Sequence, residues 1–134
     1  MSLSKIRKIA TEVRKRAVIH AVWSSDLSEW CGICSFWIFK KCKAAGIKDI
    51  QLAVNDQHAF LYWRVFIIDV TATQFGQRTK VIIKKILNKS DIKEYWQIHS
   101  LYDNEDSIRR MFRKWPSNQR PFNIFKDPQE SSDD

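Results

Sequence analysis

The first part of the chain places apolar side chains at intervals of three and four residues. Between Ser4 and about Val22 this spacing collects them on one side of a helix, while basic residues fall on the other sides. The apolar positions are Ile6, Ile9, Ala10, Val13, Ala17 and Ala21, and the basic ones include Arg7, Lys8, Arg14 and Lys15. The pattern predicts an amphipathic helix that buries one face and leaves its cations in solvent.

A second helix is indicated by a polar segment rich in capping residues, which runs up to Glu29 and precedes a long apolar stretch. Asp26 and Glu29 stand in the form of a capping box, so we expect the helix to begin at Asp26 or Ser28. The stretch 31–42 is apolar on most sides, which is typical of a central, buried helix. Gly46 follows lysines in the last turns and predicts the end of the helix.

Beyond this glycine the apolar runs become short and rich in β-branched and aromatic residues, as expected of strands. Four runs fit this description, namely 50–54, 58–63, 65–70 and 80–83. Helical spacing returns after Asp103, a candidate cap, and Pro116 predicts the end of that helix. The order of elements predicts an α+β domain, in which helices pack on a small antiparallel sheet.

Length and composition favour one globular domain. With 134 residues, 44% hydrophobic residues and six Trp, the chain can bury a core but has little length for a second module. We therefore expect a single domain over residues 1–126. Residues 127–134 carry Asp127, Glu130, Asp133 and Asp134 and no basic residue, a composition that favours a disordered tail.

The net charge of +8 is compatible with several kinds of partner. A basic surface attracts nucleic acid, acidic membranes and acidic proteins alike. Nucleic-acid binding is disfavoured because the aromatic residues do not alternate with the basic ones as a stacking platform requires. We interpret Lys80, Lys84, Lys85 and Lys89 as a solvated face that could attract an acidic substrate. No apolar run is long enough to span a membrane and no export signal is visible, so we expect a soluble, cytoplasmic protein.

Three cysteines, Cys31, Cys34 and Cys42, lie within twelve positions. An odd, clustered set is a poor disulfide framework and favours a reducing compartment. Cys31 lies near the predicted start of the second helix, where unpaired backbone N–H groups and the helix dipole stabilise an anion. A thiol attacks as its thiolate, so this placement makes Cys31 a candidate nucleophile. A cysteine on an apolar helix is nevertheless more often a small buried hydrophobe.

The two middle strand runs are separated by so short a gap that an antiparallel hairpin is the natural connection. With Trp63 and Arg64 as a two-residue turn, His58 falls directly opposite Asp69. Opposed side chains share one face of the sheet, with their Cβ atoms about 4.5–5.5 Å apart. An imidazole so placed gains the carboxylate that fixes its tautomer and stabilises its protonated form.

The candidate residues stand in three segments along the chain: Cys31-Gly-Ile-Cys-Ser35, His58-Ala-Phe60 and Ile67-Ile-Asp69-Val-Thr71-Ala-Thr-Gln74-Phe75-Gly76. Together these segments resemble the core of transglutaminase-like cysteine enzymes of the papain-like superfamily. The order Cys, His, Asp is similar to that of the whole group. The resemblance covers roughly residues 28–76 and is most specific in the Asp-x-Thr-x-x-Gln-Phe stretch.

The resemblance implies a fold in which a central helix carrying the cysteine packs on a small antiparallel sheet carrying the histidine and the aspartate. It implies a cysteine hydrolase or acyltransferase that acts at an amide, by peptide or isopeptide hydrolysis, glutamine deamidation or transamidation. The substrate would be a protein or peptide, and no metal or organic cofactor is implied. Cys31 would be the nucleophile, His58 the general base and acid, and Asp69 the orienting residue. The candidates for an oxyanion or substrate contact are Gln74, Trp30 and Trp23.

Cys34 departs from this resemblance, because compact members of the group tend to have a small apolar residue there. Cys31 is preferred because it lies nearer the helix start. With Trp30, the two cysteines also match the Trp-Cys-Gly-x-Cys signature of thioredoxin-like thiol-disulfide oxidoreductases. That fold expects a proline a few tens of residues downstream, whereas Pro116 is the first proline here, and it leaves the predicted His-Asp pair without a role.

Two further alternatives stay open. A zinc site would draw on the three cysteines and on His20, His58 or His99, but these lack the paired spacing that structural zinc sites use. A non-catalytic binding module on the same fold would keep the architecture without using the triad.

Overall fold

A computed structural model of the chain describes residues 2–20, 30–55, 58–75, 79–86 and 100–115. Within these ranges the helices are α1 (Ser2–His20), α2 (Cys31–Ala44) and α3 (Glu105–Phe112). The strands are β1 (Ile50–Val54), β2 (Ala59–Trp63), β3 (Phe66–Asp69), β4 (Ile82–Lys85) and β5 (Ser100–Tyr102), and a 3-10 helix spans Ala72–Phe75. The predicted α+β class is confirmed. The predicted tail at 127–134 lies outside the described residues.

The five strands form one sheet in the order β4-β3-β2-β1-β5, and each neighbouring pair is antiparallel. α2 packs on the sheet over β1 and β2, α1 packs against α2, and α3 contacts both α2 and β5. Every residue of α2 from Cys31 to Phe39 is buried, so the predicted central helix is confirmed.

The amphipathic pattern predicted for the N-terminal helix is present in α1, with one exception. Ile6, Ala10, Val13 and Ala17 are fully buried along one face. Arg14, which was predicted to lie on another face with the remaining cations, is buried with them and has 7% of its surface exposed. Helix geometry explains this, because residue 14 lies four after Ala10 and three before Ala17, on the same side of the helix. None of the helices in the described ranges has the length and apolar character of a membrane span.

The start of α2 differs from the prediction. The helix begins at Cys31, with Trp30 as its N-cap, rather than at Asp26 or Ser28. Trp30 has φ −101° and ψ 2°, so the backbone leaves helical geometry at this residue. The predicted capping box lies outside the described residues. Cys31 is therefore the first residue of the helix instead of lying a turn inside it.

The end of α2 follows the prediction. Ala44 is the last helical residue and Gly46, with φ 88°, takes the left-handed conformation that stops the helix. The N–H of Ile47 donates to the Cys42 carbonyl oxygen at 2.9 Å, and the N–H of Gly46 donates to the Lys43 carbonyl oxygen at 3.1 Å. These two bonds form a Schellman motif, which satisfies carbonyl groups that the helix end would leave unpaired.

β1 has its predicted bounds, whereas the other three predicted strands shift by one or two residues. β2 begins one residue later at Ala59, β3 begins one residue later at Phe66, and β4 covers 82–85 rather than 80–83. β5 was not predicted, because a run of three residues is too short to show a period. It joins the sheet through antiparallel pairing with β1.

The C-terminal helix α3 is capped one residue later than predicted. Asn104, and not Asp103, is the N-cap, and its side-chain oxygen accepts the backbone N–H of Ser107 at 2.9 Å. Both residue types are good caps, so local propensity does not separate the two neighbours. The helix ends at Phe112, before Pro116.

Candidate active site

The β2–β3 hairpin turns one residue later than predicted. Trp63 pairs with Phe66, so Arg64 and Val65 form the turn, and Arg64 has the positive φ, 55°, that a tight hairpin turn requires. The predicted turn at Trp63 and Arg64 is wrong because Trp63 is held in the strand. Its indole Nε1 donates to Asp49 Oδ1 at 2.8 Å and its ring stacks on Phe66. Arg64 Nε donates to the other Asp49 oxygen at 2.9 Å.

The later turn moves the register of the hairpin by two residues. Leu61 pairs with Ile68, so continuation of the ladder sets Phe60, and not His58, opposite Asp69. The predicted direct opposition is therefore wrong. A shift of two keeps every side chain on its own face, because side chains alternate with a period of two along a strand. His58 thus lies on the same face as Asp69, one diagonal step away.

His58 and Asp69 make a direct contact in the core. His58 Nε2 lies 2.6 Å from Asp69 Oδ2, and the two side chains are 0% and 1% exposed. The other carboxylate oxygen, Oδ1, accepts the backbone N–H of Thr71 at 2.9 Å and the Thr71 hydroxyl at 3.3 Å. The imidazole ring stacks on Phe60, with the ring centroids 5.6 Å apart. The carboxylate is therefore oriented by the chain that follows it, and the imidazole by its aromatic neighbour.

Cys31, the first residue of α2, is the third candidate residue of the site. It is buried, and its interaction with His58 contributes to the raised pKa of that imidazole. α2 is held against the start of β2 by Ser35, whose hydroxyl donates to the Ala59 carbonyl oxygen at 3.0 Å. Ser35 lies one turn beyond Cys31 on the same face of the helix, and Ala59 directly follows His58. This bond therefore helps to place the thiol against the imidazole.

Two opposing effects set the pKa of His58: its burial, and its interactions with Asp69 and Cys31. Burial lowers the pKa of His58, whereas the hydrogen bond with Asp69, and the interactions with the charges of Asp69 and Cys31, raise it. The result is a pKa raised to about 9. At neutral pH the ring is therefore an imidazolium. A positive charge beside a thiol favours the thiolate, which is the form that attacks.

The other two cysteines lie in different surroundings. Burial raises the pKa of the Cys42 thiol to about 12, and it raises the pKa of the Cys34 thiol further still. For Cys34 the charge of Cys31 adds to the rise, Arg14 opposes it and Asp69 adds to it. Both thiols therefore stay protonated at neutral pH. Of the two cysteines left open by the sequence, Cys31 is the one whose interaction raises the pKa of His58.

The first turn of α2 supplies backbone N–H groups that can bind an anion. The Cys34 N–H donates to the Trp30 carbonyl oxygen at 2.9 Å, which is the first hydrogen bond of the helix. The Trp30 side chain does not cap the N–H groups of residues 31–33. Helices leave these N–H groups without intrahelical partners, and together with the dipole they favour negative charge. Cys31, as the first helical residue, stands at this end of the dipole.

The structure describes the three candidates for an oxyanion or substrate contact to different extents. Trp30 is half-buried and directly precedes Cys31. Gln74 lies in the 3-10 helix that follows β3. Trp23 lies outside the described residues. The structure therefore brings Cys31, His58 and Asp69 together and sets Trp30 next to them in the chain.

Arg14 is a neighbour of this site that was not predicted. Its Nη1 donates to the Val70 carbonyl oxygen and to Thr73 Oγ1, the latter at 3.3 Å. Burial lowers the pKa of the Arg14 guanidinium, and the charges of Cys34 and Asp69 raise it in part. The sequence does contain a signal for it, since a cation that falls inside the apolar stripe of a helix is expected to need a buried partner.

Neither a metal centre nor a relative identifies the site. In the part of the chain that the structure describes, no three His, Cys, Asp or Glu side chains are grouped as a metal ion would require. His99, named above for a zinc site, lies outside these residues, as does the side chain of His20. The chain matches no protein-family model, no curated protein and no solved structure.

Proposed function

We propose that this protein is a cysteine-nucleophile enzyme that transfers acyl groups at amides, with Cys31, His58 and Asp69 as its catalytic residues. One observation carries the proposal: the Nε2 of buried His58 lies 2.6 Å from Asp69 Oδ2, and the charge of Cys31 acts on the same ring and raises its pKa. A nucleophile, a base and a group that orients the base form the arrangement that nucleophilic catalysis requires.

In the first half of the reaction, the Cys31 thiolate attacks the amide carbonyl carbon. A C–S bond forms, and the electron pair of the carbonyl bond moves onto oxygen. As the tetrahedral intermediate collapses, the C–N bond breaks and the His58 imidazolium gives its proton to the leaving nitrogen. Asp69 stabilises the imidazolium until that transfer, and the backbone N–H groups at the start of α2, with Trp30, Trp23 or Gln74 as candidate side-chain donors, stabilise the oxyanion.

In the second half, the neutral His58 takes a proton from water or from an incoming amine. The deprotonated nucleophile attacks the thioester carbon, the C–S bond breaks, and the Cys31 thiolate and His58 imidazolium are restored. Water as the acceptor gives peptide or isopeptide hydrolysis, or deamidation when the substrate is a glutamine side chain. An amine as the acceptor gives transamidation. All three outcomes share one acyl-enzyme.

A basic groove on the outer side of Arg14 supports an acidic protein or peptide as the substrate. The groove has a volume of about 580 Å³ and lies between α1 and the chain that leads into β4. Its lining includes Arg14, Lys15, Val18, Ile19, Lys80 and Val81. Val18 and Ile19, which are 45% and 71% exposed, together give this groove an exposed apolar patch. Cations around apolar side chains attract an acidic segment and bury its apolar residues.

The proposal is tested with p-nitrophenyl acetate, a small acyl donor that needs no specificity pocket. The full chain should release p-nitrophenol in a burst and carry one acetyl group, located on Cys31 by peptide mass spectrometry. His58→Ala should slow this acylation by about 10²-fold or more, since it removes the imidazolium that favours the thiolate. Cys34→Ala is the matched control, because it removes a buried thiol from the next turn of the same helix.

Acetylation spread evenly over the three cysteines would contradict the proposed function. So would a Cys31 rate that does not change in His58→Ala. Hydrolysis of the acetyl group from wild-type protein, slowed in Asp69→Asn, would extend the support to the second half of the reaction.

A thiol-disulfide oxidoreductase is the second candidate. Cys31 opens α2 and Cys34 lies three residues further along it, close enough for the two charges to interact. In that reaction Cys31 would attack a substrate disulfide and Cys34 would resolve the mixed disulfide. Titration of the full chain in glutathione buffers, with trapping of free thiols, separates the candidates. A reversible Cys31–Cys34 disulfide would favour the oxidoreductase.

A further inference from the structure

A basic side chain stands in the buried face of α1, where the sequence pattern expects only apolar ones. Arg14 is 7% exposed and lies in the stripe of Ala10, Val13 and Ala17. Removal of a guanidinium from water costs free energy unless hydrogen bonds and opposite charges compensate for it. The partners of Arg14 therefore indicate what the residue is for.

The hydrogen-bond partners of Arg14 lie in the segment that directly follows Asp69. The Arg14 Nη1 binds the Val70 carbonyl oxygen and Thr73 Oγ1, which lie on either side of Thr71. Thr71 in turn donates its backbone N–H and its hydroxyl to Asp69 Oδ1. Arg14 thus ties to α1 the short segment that orients the carboxylate facing His58.

The ionisable groups around Arg14 come from the elements packed against it. In the described residues these are Asp69 of β3 and Cys34 of α2, whose thiol stays protonated at neutral pH. Cys31 interacts in turn with Cys34, and His58 with Asp69. On its outer side Arg14 borders the groove that also contains Lys15 and Lys80. When Cys31 is ionised, as the proposed reaction requires, Cys31 and Asp69 are two anionic groups around the single cation of His58. Arg14 then supplies the second positive charge that balances them.

We infer that Arg14 is a positioning residue of the site, which holds the segment after Asp69 and supplies the positive charge that lets the Asp69 carboxylate and the Cys31 thiolate coexist around one imidazolium. The inference rests on the proposed triad. Arg14 acts through Asp69 and His58, and it takes no part in bond making or breaking.

The test is the rate at which iodoacetamide alkylates Cys31, measured by mass spectrometry on the full chain as a function of pH. Arg14→Gln keeps a short donor but loses the charge. The rise in Cys31 alkylation should move to higher pH by about one unit, the order expected when one neighbouring charge is removed. At pH values below this rise, the rate should then be about tenfold lower than in the wild type. Lys8→Gln, which removes an exposed charge from the same helix, should leave the profile unchanged.

Arg14→Lys separates the charge from a purely structural role. It keeps the positive charge but not the planar guanidinium, so its alkylation profile should stay near that of the wild type even if its Tm falls. A folded Arg14→Lys protein with a profile shifted by a full unit would overturn the inference. If Arg14→Gln does not fold, the Arg14→Lys profile alone is the test. A folded Arg14→Gln protein with the wild-type profile would also overturn it.

Failure of the proposed function gives a different result. If His58→Ala leaves the wild-type profile of Cys31 unchanged, the triad itself is wrong. If His58→Ala changes the profile and the folded Arg14 variants do not, only the role of Arg14 is wrong.

Discussion

Replacement of Asp69 by Asn tests the charge coupling at the centre of the site with almost no change in shape. The oxygen that accepts the Thr71 N–H at 2.9 Å has to remain an acceptor, so the amide oxygen takes the Oδ1 position. The amide NH₂ then takes the place of Oδ2, which lies 2.6 Å from His58 Nε2. An NH₂ group donates, so Nε2 must accept and the ring proton moves to Nδ1. Asn therefore holds a neutral ring in the opposite tautomer, and His58 can no longer stabilise a thiolate.

The pKa of His58 should fall by about two units or more in Asp69→Asn. In the wild type, burial lowers the pKa, but the hydrogen bond with Asp69 and the charges of Asp69 and Cys31 raise it from 6.5 to about 9. Without the carboxylate, burial becomes the dominant effect. The wild-type shift corresponds to about 3 kcal/mol. Because the folded pKa is raised, this contribution to the free energy of unfolding is fully present below about pH 6.5 and is lost as pH rises through about 9.

The assay is an NMR titration of the imidazole Cε1–Hε1 signals in wild type and Asp69→Asn. The chain has three histidines, so His58→Gln assigns the signal and the other two serve as internal references. Urea unfolding at about pH 6 and about pH 9.5 measures the linked stability, which should lose its His58-dependent part in the variant. A His58 signal that titrates near 9 in both proteins would refute the reasoning, because the carboxylate would then not be the cause of the raised pKa.

Three other substitutions test separate parts of the structure. Cys31→Ala should lower acyl transfer by at least about 10³-fold, and Cys34→Ala by less than about threefold, in the p-nitrophenyl acetate assay; equal losses would contradict the choice of nucleophile. Ser35→Ala removes the hydrogen bond to the Ala59 carbonyl oxygen, so it should lower the free energy of unfolding by about 1 kcal/mol and slow Cys31 alkylation. An unchanged alkylation rate would show that this bond does not place the thiol. Gly46→Ala should cost about 1 kcal/mol in urea unfolding, because φ is 88° and the added Cβ meets no heavy atom within 4 Å. An unchanged midpoint would mean that the left-handed cap is not needed.

The hairpin shows why part of the site was predictable although the register was not. The predicted turn was one residue early, and the resulting error of two residues in pairing left His58 and Asp69 on one face. An error of one residue in pairing would have placed them on opposite faces. The turn position depends on Asp49, which binds both Trp63 and Arg64 from 14 and 15 residues away, and no local preference of the turn residues indicates this.

Arg14 shows a second limit of prediction from sequence, namely that the partners of a buried cation are not visible in the local pattern. Its spacing from the buried residues of α1 placed it on the apolar face, but a lone cation in such a stripe is commonly assigned to the solvent side. Its partners lie 56 and 59 residues away, so only the packing of α1 beside the end of β3 reveals them. The start of α2 is a similar case, because a good capping sequence at Asp26 did not decide where the helix begins.

The sequence by itself determined most of the elements and the residue types from which the candidate site is built. Apolar periodicity predicted α1, α2 and the central strands, and Gly46 predicted the end of α2, because these signals depend on neighbours within one or two turns of the chain. Only the tertiary structure decided that Cys31, at the first position of α2, meets His58, and that His58 reaches Asp69 by a diagonal rather than a direct step. Such contacts join residues that are far apart in sequence, and they depend on how whole elements pack and not on the preference of any one segment.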